Sequence, residues 1–421
     1  MKKKSSTKDL SLSRNERLFL NNKSVFAPKN FTKIKPNGFK IYTFHAGFKK
    51  QFDDLLIIIF DEVVNCANVY SKTSTPSSPI IWDKKNNKGK ARALIVNSGN
   101  ANAHTGSKGI KVIDKYVNEL INLLKCKKSE IVVSSTGVIG EIFDPELIIK
   151  KINSIHNHKP TTILNAAKSI MTTDTYPKIS FKTVKIKNKN IRIYGIAKGS
   201  GMVHPNMGTI LSYIFIDTKI QTKILKRLLS DNIENTFNSI SVDSDTSTSD
   251  TLTLFSINKP IINFDIKENY DKLSYALNTL MKDLSLQIVK DGEGLSKLIS
   301  VKVINSKSKK DAKNIAFSVI NSPLVKTAIS GEDANWGRII MAIGKSYANI
   351  KQDKIKIMIG NSLICSGGSV NKKVNLKALN RYMKNNKIEI TININNGNDS
   401  FTAYGNDLTY NYIKINADYR S

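Results

Sequence analysis

Residues 197–216, AKGSGMVHPNMGTILSYIFI, join a polar, glycine-rich loop to a run of apolar residues. The loop ends at Gly208 and also contains Pro205, and both residue types favour turns and irregular backbone. From Thr209 to Ile216 the chain is almost entirely β-branched, leucine or aromatic, which predicts a buried strand. Loops that follow or precede buried strands commonly carry catalytic groups, so this junction is a candidate site.

Other segments alternate apolar and polar residues, which is typical of half-buried strands. Isoleucine occupies every second position in residues 388–394 and 355–359. Apolar residues on both sides of Lys187-Asn188-Lys189-Asn190 predict a hairpin with its turn there. We therefore expect antiparallel or mixed sheets.

Helical periodicity separates these strands. Apolar residues recur at three- and four-residue intervals in residues 113–124 and 273–288, which predicts two amphipathic helices. Asp144-Pro145-Glu146 is typical of a helix start, because it offers a cap acceptor, a proline and a carboxylate in the first turn. Together these patterns predict an α/β (α+β) fold of layered β-sheets flanked by helices.

The composition is typical of a globular protein, with 421 residues, 40% hydrophobic and 8% aromatic. The longest apolar run, Leu55–Phe60, is too short to cross a bilayer, and no secretory signal follows Met1. Residues 1–23 are expected to form a disordered polar extension. Three widely spaced cysteines predict neither a disulfide framework nor a metal site, and we expect a cytoplasmic protein.

The net charge of +31 raises the question of nucleic-acid binding. Lysines make up 57 of the 65 basic residues, and they are spread along the whole chain. Nucleic-acid-binding proteins tend to cluster arginine and lysine on one stripe, with aromatic residues between them. The even spread favours a solvated basic surface, and nucleic-acid binding is kept only as an alternative.

A second alternative is a metal site formed by the carboxylates of residues 242–251, VDSDTSTSDT. Asp243, Asp245 and Asp250 lack the glycine and the distal glutamate of a calcium-binding loop. We therefore predict no metal.

Thr209 has two interpretations on the residues alone. A threonine hydroxyl becomes a useful nucleophile when it begins a chain, because its own α-amine titrates near pH 8 and can take the proton. That chemistry requires a cut between Gly208 and Thr209, and attack of the hydroxyl on the Gly208 carbonyl would make it. The other interpretation is an ordinary strand residue.

Eight segments in order resemble the glutamate N-acetyltransferase family, also called ornithine acetyltransferases. The resemblance spans roughly residues 26 to 421. The matching segments are Ala93–Gly106, Ser135–Glu141, Met171–Lys178, Ala197–Leu211, Val242–Thr251, Asp291–Leu298, Ser322–Ile339 and Asp407–Ser421.

The resemblance implies a precursor that cuts itself between Gly208 and Thr209. The two chains, 24–208 and 209–421, would stay together, with two copies of each in a heterotetramer. The implied fold is similar to that of N-terminal-nucleophile hydrolases, of the self-processing aminopeptidase type. The implied reaction moves the acetyl group of N2-acetylornithine to glutamate through an acetyl-enzyme in arginine biosynthesis. No cofactor is implied, and acetyl-CoA as an additional acetyl donor is left open.

The resemblance also implies roles for individual residues. Thr209 is the nucleophile, and Thr136 and Gly137 stabilise the oxyanion. One of Thr172 and Thr173 contacts the substrate, and the sequence does not say which. The remaining substrate contacts are Lys198, Glu293, Asn416 and Ser421. An amino-acid substrate carries an ammonium and a carboxylate, so an opposing lysine and glutamate are expected.

The sequence departs from the family pattern at four positions. Gly208 replaces the usual alanine, Ser244 a glycine and Ser249 an asparagine, and His104 stands where a small or sulfur residue is common. None of these removes a group assigned to catalysis. A third alternative function is an amidohydrolase or aminopeptidase of the same fold, which would pass the acyl group to water.

Overall fold

The computed structural model describes residues 23–204, 210–257 and 260–417. The chain divides into two compact units. The larger unit comprises Pro28–Thr172 and Pro177–Val289. The smaller unit comprises Thr173–Tyr176, Lys290 onward and the described residues of Met1–Ala27. The predicted extension lies outside the described residues, except for Lys23.

The larger unit is built on one sheet of eight strands among the described residues. The strands are β1 (Phe39–Phe44), β2 (Leu55–Tyr70), β3 (Lys90–Asn100), β4 (Ile131–Val138), β5 (Lys178–Ile186), β6 (Lys189–Lys198), β7 (Leu211–Ile216) and β8 (Thr251–Ser256). Their order is β4-β3-β2-β8-β7-β6-β5, with β1 paired to β2. The pairs β3–β4 and β7–β8 are parallel and the others antiparallel, so the sheet is mixed, as predicted.

Helices accompany this sheet in the larger unit. They are α1 (Ser78–Asn86), α2 (Gly106–Leu124), α3 (Glu146–Asn153), α4 (Ile163–Ser169), α5 (Thr222–Ile233) and α6 (Lys267–Val289). The predicted amphipathic helices are confirmed as α2 and α6. The predicted helix start is confirmed at α3, where Asp144 Oδ1 accepts a hydrogen bond of 3.0 Å from the Glu146 N–H.

The sheet bends at β2, the longest of its strands. Residues 55–59 of β2 pair with β3, residues 65–70 pair with β8, and the β2–β3 register shifts between Ile59 and Val64. One buried core then joins apolar side chains of β1–β4 with those of β6–β8. Phe39 of β1, for example, stacks on Phe215 of β7 at 4.5 Å between ring centroids. The two halves of the sheet therefore pack face to face.

The outer faces of the folded sheet are covered by helices. Trp82 of α1 and Tyr116 of α2 are buried against β2, β3 and β4 in a second core. On the other half, α6 contacts β5 and β6, and α5 contacts β8. These four helices thus lie outside two layers of strands, whereas α4 contributes Ile163, Ala166 and Ala167 to the core between the layers. The predicted class of layered sheets flanked by helices is confirmed.

The smaller unit has a sheet of six strands in its described part, in the order β12-β11-β10-β13-β9-β14. Its strands are β9 (Leu298–Ser306), β10 (Lys356–Ile359), β11 (Ser362–Ser366), β12 (Ser369–Val370), β13 (Lys387–Asn393) and β14 (Asp399–Asn406). Its helices are α7 (Lys309–Ile320), α8 (Pro323–Ser330), α9 (Trp336–Gly344), α10 (Leu376–Met383) and α11 (Tyr410–Ala417).

The alternating isoleucines account for this second sheet. Ile388, Ile390 and Ile392 of β13 face one core with Ile357 and Ile359 of β10, and all are almost fully buried. Helices α7, α8 and α9 supply the other side of that core. The two strands predicted from the isoleucine pattern are therefore confirmed.

The predicted hairpin is also confirmed, as β5 and β6. Ile186 pairs with Lys189, so the turn consists of Lys187 and Asn188. Both residues have positive φ, 45° and 61°, as a two-residue turn between twisted strands requires.

Candidate active site

The predicted oxyanion residues lie where β4 ends beside β3. Thr136 is 4% exposed. Gly137 has a φ of 131°, and a Cβ atom there would lie 2.2 Å from the carbonyl carbon of Gly99. Only glycine fits this close approach of two backbones. Thr136 and Gly137 are therefore held near the end of β4, close against the β3 backbone, with Thr136 buried and Gly137 half-buried.

Lys198 meets Thr136 inside the larger unit. Lys198 is the last residue of β6, is 2% exposed, and donates a hydrogen bond of 3.2 Å from Nζ to Thr136 Oγ1. In sheet order β4 and β6 are separated by four strands, so the fold of the sheet brings these two residues together. A buried ammonium beside a threonine hydroxyl creates a site suited to an anionic or oxyanionic group.

Asp250 lies in the same unit, directly before β8, and is fully buried. Its Oδ1 accepts a hydrogen bond of 2.6 Å from the backbone N–H of Ile210, the residue after Thr209. Burial raises the pKa of Asp250 well above the ordinary value of a carboxylic acid, while the Ile210 N–H and the charge of Lys198 oppose that rise. In the sequence Asp250 was a candidate only as a metal ligand, and no local pattern indicated this contact with the start of β7.

Glu293 and Asn416 meet inside the smaller unit. Asn416 Nδ2 of α11 donates a hydrogen bond of 2.9 Å to Glu293 Oε2, and Glu293 is 7% exposed. Gly294 permits this approach, because a Cβ atom there would lie 2.4 Å from the Tyr412 nitrogen of the same helix. The two predicted substrate contacts are therefore adjacent.

The boundary between the two units along the chain falls between Thr172 and Thr173, and both residues are half-buried. Thr172 is the last residue of its segment in the larger unit, and Thr173 belongs to the smaller one. In the smaller unit, Thr175 donates hydrogen bonds from its N–H, at 2.9 Å, and from its hydroxyl to the carboxylate of Asp291. Asp291 was not predicted, although its segment was; the sequence carries no signal for this pairing.

Gly208, Thr209 and Ser421 lie outside the described residues. The strand after Thr209 is described, and all six residues of β7 are buried. The predicted site residues therefore fall into two described groups. Thr136, Gly137 and Lys198 form one in the larger unit, and Glu293 and Asn416 form the other in the smaller.

No group of three or more His, Cys, Asp or Glu side chains within the described ranges is arranged to hold a metal ion. Cys66, Cys126 and Cys365 are free. Burial raises the pKa of the Cys66 thiol to about 12, which keeps it in its unreactive form. Among the helices of the described residues, none has the length and apolar character needed to span a membrane.

Comparison with known proteins identifies the family. The sequence model of the ArgJ family matches residues 40–421, nearly the whole chain. The chain belongs to the ArgJ family. The family predicted from the eight segments is thereby confirmed, and with it the fold type and the prediction of an acyltransferase.

Two relatives within the ArgJ family match the chain along almost its full length. The arginine biosynthesis bifunctional protein ArgJ of Bartonella henselae is 42% identical over 401 residues, covering 94% of this chain and 98% of that protein. The protein of the same name from Mesorhizobium japonicum is 41% identical over 408 residues, with coverage of 94% and 99%. A crystal structure of the Bacillus halodurans protein is 35% identical, with a TM-score of 0.45, and covers 48% of this chain and 97% of that one.

Proposed function

We propose that this protein transfers the acetyl group of N2-acetylornithine to glutamate, with Thr209 as nucleophile, in arginine biosynthesis. The observation that carries the proposal is the buried contact between Lys198 and Thr136, in the unit that also holds the residue after Thr209. The names of the ArgJ relatives, which place those proteins in arginine biosynthesis, support the pathway.

The first step is self-cleavage. The Thr209 hydroxyl oxygen bonds to the Gly208 carbonyl carbon, and the bond from that carbon to the Thr209 nitrogen breaks as the nitrogen takes the hydroxyl proton. Water then hydrolyses the resulting ester, which leaves a carboxylate on Gly208 and restores the Thr209 hydroxyl. The products are the chains 24–208, with any preceding residues, and 209–421, and the second begins with a free α-amine.

That α-amine serves as general base for the transfer reaction. It takes the proton of the Thr209 hydroxyl as the oxygen attacks the acetyl carbonyl, and it returns a proton to the departing amine of ornithine. Glutamate then attacks the acetyl-enzyme through its amino group, giving N-acetylglutamate and free Thr209. Both half-reactions pass through an oxyanion, which Thr136 and the Gly137 N–H stabilise, typically by about 3–4 kcal/mol per donor.

The described charges match an amino-acid substrate. Lys198 is a buried cation for a carboxylate or an oxyanion, and Glu293, held by Asn416, is a nearly buried anion for an ammonium. One of Thr172 and Thr173, together with Ser421, completes the proposed substrate contacts. We propose no cofactor, a cytoplasmic location, and an assembly of two copies of each chain.

Intact mass and N-terminal sequencing under denaturing conditions test the proposal directly. Two fragments, the second beginning Thr209-Ile210-Leu211, are expected, and the Thr209→Ala variant is expected to stay whole and inactive. Production of N-acetylglutamate from acetylornithine and glutamate is measured on the same sample. An uncut chain that still transfers acetyl would contradict the α-amine as base, and absence of transfer would contradict the function.

A hydrolase of the same fold is the competing function, and the same assay separates the two. Release of acetate that does not depend on glutamate would favour the hydrolase. Repeating the reaction with acetyl-CoA in place of acetylornithine tests the second activity suggested by relatives named bifunctional. Formation of N-acetylglutamate would then show that both donors are used.

Lys198→Met removes the buried charge while keeping the length of the side chain. We expect kcat/KM for acetylornithine to fall by about 100-fold, because a buried charged partner is lost. Lys185→Met, on the exposed face of β5, is the control and should behave as wild type. Equal activity of the two variants would remove Lys198 from the site.

A further inference from the structure

Residues 241–251, here called the acidic loop, lead from the end of a short helical turn into β8. The loop carries Asp243, Asp245 and Asp250, and the proposed function as stated uses none of them. Its contacts, however, fall on both sides of the predicted cleavage site within the larger unit.

On the upstream side, Asp243 binds the chain that precedes the cut. Its Oδ2 accepts a hydrogen bond of 2.6 Å from the Met202 N–H, and its Oδ1 accepts one of 2.9 Å from the Val203 N–H. The Val203 carbonyl in turn accepts bonds from the Val242 N–H, at 2.9 Å, and from Ser241 Oγ, at 3.2 Å. Both carboxylate oxygens of Asp243 are therefore used to hold backbone N–H groups.

On the downstream side, Asp250 and its neighbour bind the residue that follows Thr209. Asp250 Oδ1 accepts the Ile210 N–H at 2.6 Å, and the Thr251 N–H donates to the Ile210 carbonyl at 2.9 Å. Six residues, 204–209, separate the two anchored points. Asp243 and Asp250 therefore hold described backbone N–H groups on both sides of the predicted cut.

We propose that the acidic loop positions Thr209 for both of its reactions, with Asp243 serving self-cleavage and Asp250 serving self-cleavage and acetyl transfer. The inference rests on the proposed function. The division of roles follows from the chain that each aspartate holds. After the cut, Met202 and Val203 belong to the other chain and no longer restrain Thr209 through covalent bonds, whereas Ile210 remains bonded to it.

Asp250 also binds the backbone N–H of Ile210, the residue that follows the amine released by the cut. Standard bond lengths place the nitrogen of a residue within about 4 Å of the nitrogen of the next one. Asp250 Oδ2 is buried and has no hydrogen-bond partner within 3.5 Å among the described residues, although the nearby hydroxyls of Ser71 and Ser247 also favour the charged form of this carboxylate. A buried carboxylate oxygen normally has a partner. The α-amine of Thr209 is a donor of the required kind. Asp250 is accordingly a positioning residue for the nucleophile rather than for the substrate.

Asparagine variants separate the role in self-cleavage from the role in acetyl transfer. Asp243 accepts backbone N–H groups with both carboxylate oxygens, whereas Asp250 accepts the Ile210 N–H with Oδ1. At position 243 an amide places an NH2 group against a backbone N–H, so at least one of the hydrogen bonds that the carboxylate accepts from Met202, Val203 and Asp245 is lost. At position 250 an amide oxygen can still accept the Ile210 N–H, but without the charge that strengthens the bond. Asp245→Asn is the matched control in the same loop, because Asp245 is exposed.

The experiment follows cleavage of the full chain by intact mass during synthesis, and then the kinetics of the cleaved protein. We expect Asp243→Asn to cleave at least about tenfold more slowly, while the cleaved fraction keeps the wild-type kcat and KM. We expect Asp250→Asn to lower both the cleavage rate and kcat by about fivefold with KM for acetylornithine unchanged. Asp250→Ala should lower both by about a further tenfold, and Asp245→Asn should match wild type.

Thermal unfolding of each variant accompanies the kinetics. A merely structural role would lower Tm and raise KM together with the loss of rate, and that result would overturn the proposal. Equal behaviour of Asp243→Asn, Asp250→Asn and Asp245→Asn would also overturn it. If Asp250→Ala does not fold, the comparison of Asp250→Asn with Asp245→Asn decides the role of Asp250. The wild-type protein tests the proposed function separately. An uncut or inactive wild-type chain would contradict the proposed function, whereas the differences between variants and wild type test the role of the acidic loop.

Discussion

Gly137 illustrates how a single residue shapes the site. Its φ of 131° and its contact with the Gly99 backbone both exclude a side chain. We expect Gly137→Ala to lower the free energy of unfolding by about 3 kcal/mol or more, because the backbone at Gly137 must move away from Gly99. The same movement displaces Thr136 and the residue 137 N–H, so kcat should fall. Urea denaturation and the transfer assay measure the two effects.

Gly140→Ala is the matched control for that variant. Gly140 also has a positive φ, 90°, but nothing lies within 4 Å of its Cβ position. Its substitution should cost only the backbone strain, about 1 kcal/mol, and should leave kcat unchanged. If the two alanine variants lose the same free energy of unfolding, the predicted clash at Gly137 would be contradicted.

Ser244 is a departure from the family pattern that the structure explains. Its φ is 72°, in the region that favours glycine, which agrees with the glycine that the sequence resemblance implies at this position. Ser244→Gly should therefore raise the free energy of unfolding by about 1 kcal/mol. Ser400→Gly, at an exposed position of strand β14 and without a positive φ, should instead lower it by about 0.5–1 kcal/mol. A loss of stability in Ser244→Gly would contradict this account.

At the level of whole elements, Asp83 attaches α1 to the sheet. Its Oδ1 accepts a bond of 3.1 Å from the Val133 N–H of β4, and Tyr70 of β2 donates its hydroxyl to Oδ2 at 3.2 Å. Asp83 is fully buried, and burial raises its pKa well above the ordinary value, an effect that the two hydrogen bonds only partly offset.

This raised pKa predicts a pH dependence of stability. The contribution of Asp83 is fully present below the unfolded pKa of about 4 and is lost as the pH rises through the folded value. Asp83→Asn, which stays neutral, should therefore be more stable than wild type at pH 8, and the difference should shrink as the pH falls toward 4. Urea denaturation at several pH values measures it, with the exposed Asp53→Asn as control. A difference that does not change with pH would contradict the assignment.

For the whole molecule, the strand order predicts that the two chains stay associated after cleavage. The predicted cut separates β6 from β7, yet these strands pair from Ile193–Ile216 to Lys198–Leu211, and β7 is completely buried. Size-exclusion chromatography in native buffer should therefore give one particle that contains both chains. Denaturant should be needed to separate them. Elution of separate fragments in native buffer would contradict this, and the uncut Thr209→Ala protein provides the reference volume.

Much of this protein followed from local sequence patterns. The isoleucine alternation of β13 and β10, the helical periodicity of α2 and α6, and the hairpin turn at Lys187 and Asn188 are confirmed. The family followed from motifs that lie in order along the chain. Such features depend on residues close in sequence, because backbone conformation and the burial of one face are set by the period of the side chains.

Contacts between distant residues came only from the tertiary structure. Lys198 meets Thr136 because the sheet bends at β2 and packs on itself, and no local pattern encodes that bend. The aspartates of residues 242–251 resembled a weak metal motif in sequence, whereas in the fold Asp243 and Asp250 hold backbone N–H groups on either side of the predicted cut. A carboxylate has the same appearance in sequence whatever it binds, and its partner is determined by which strands the core brings together.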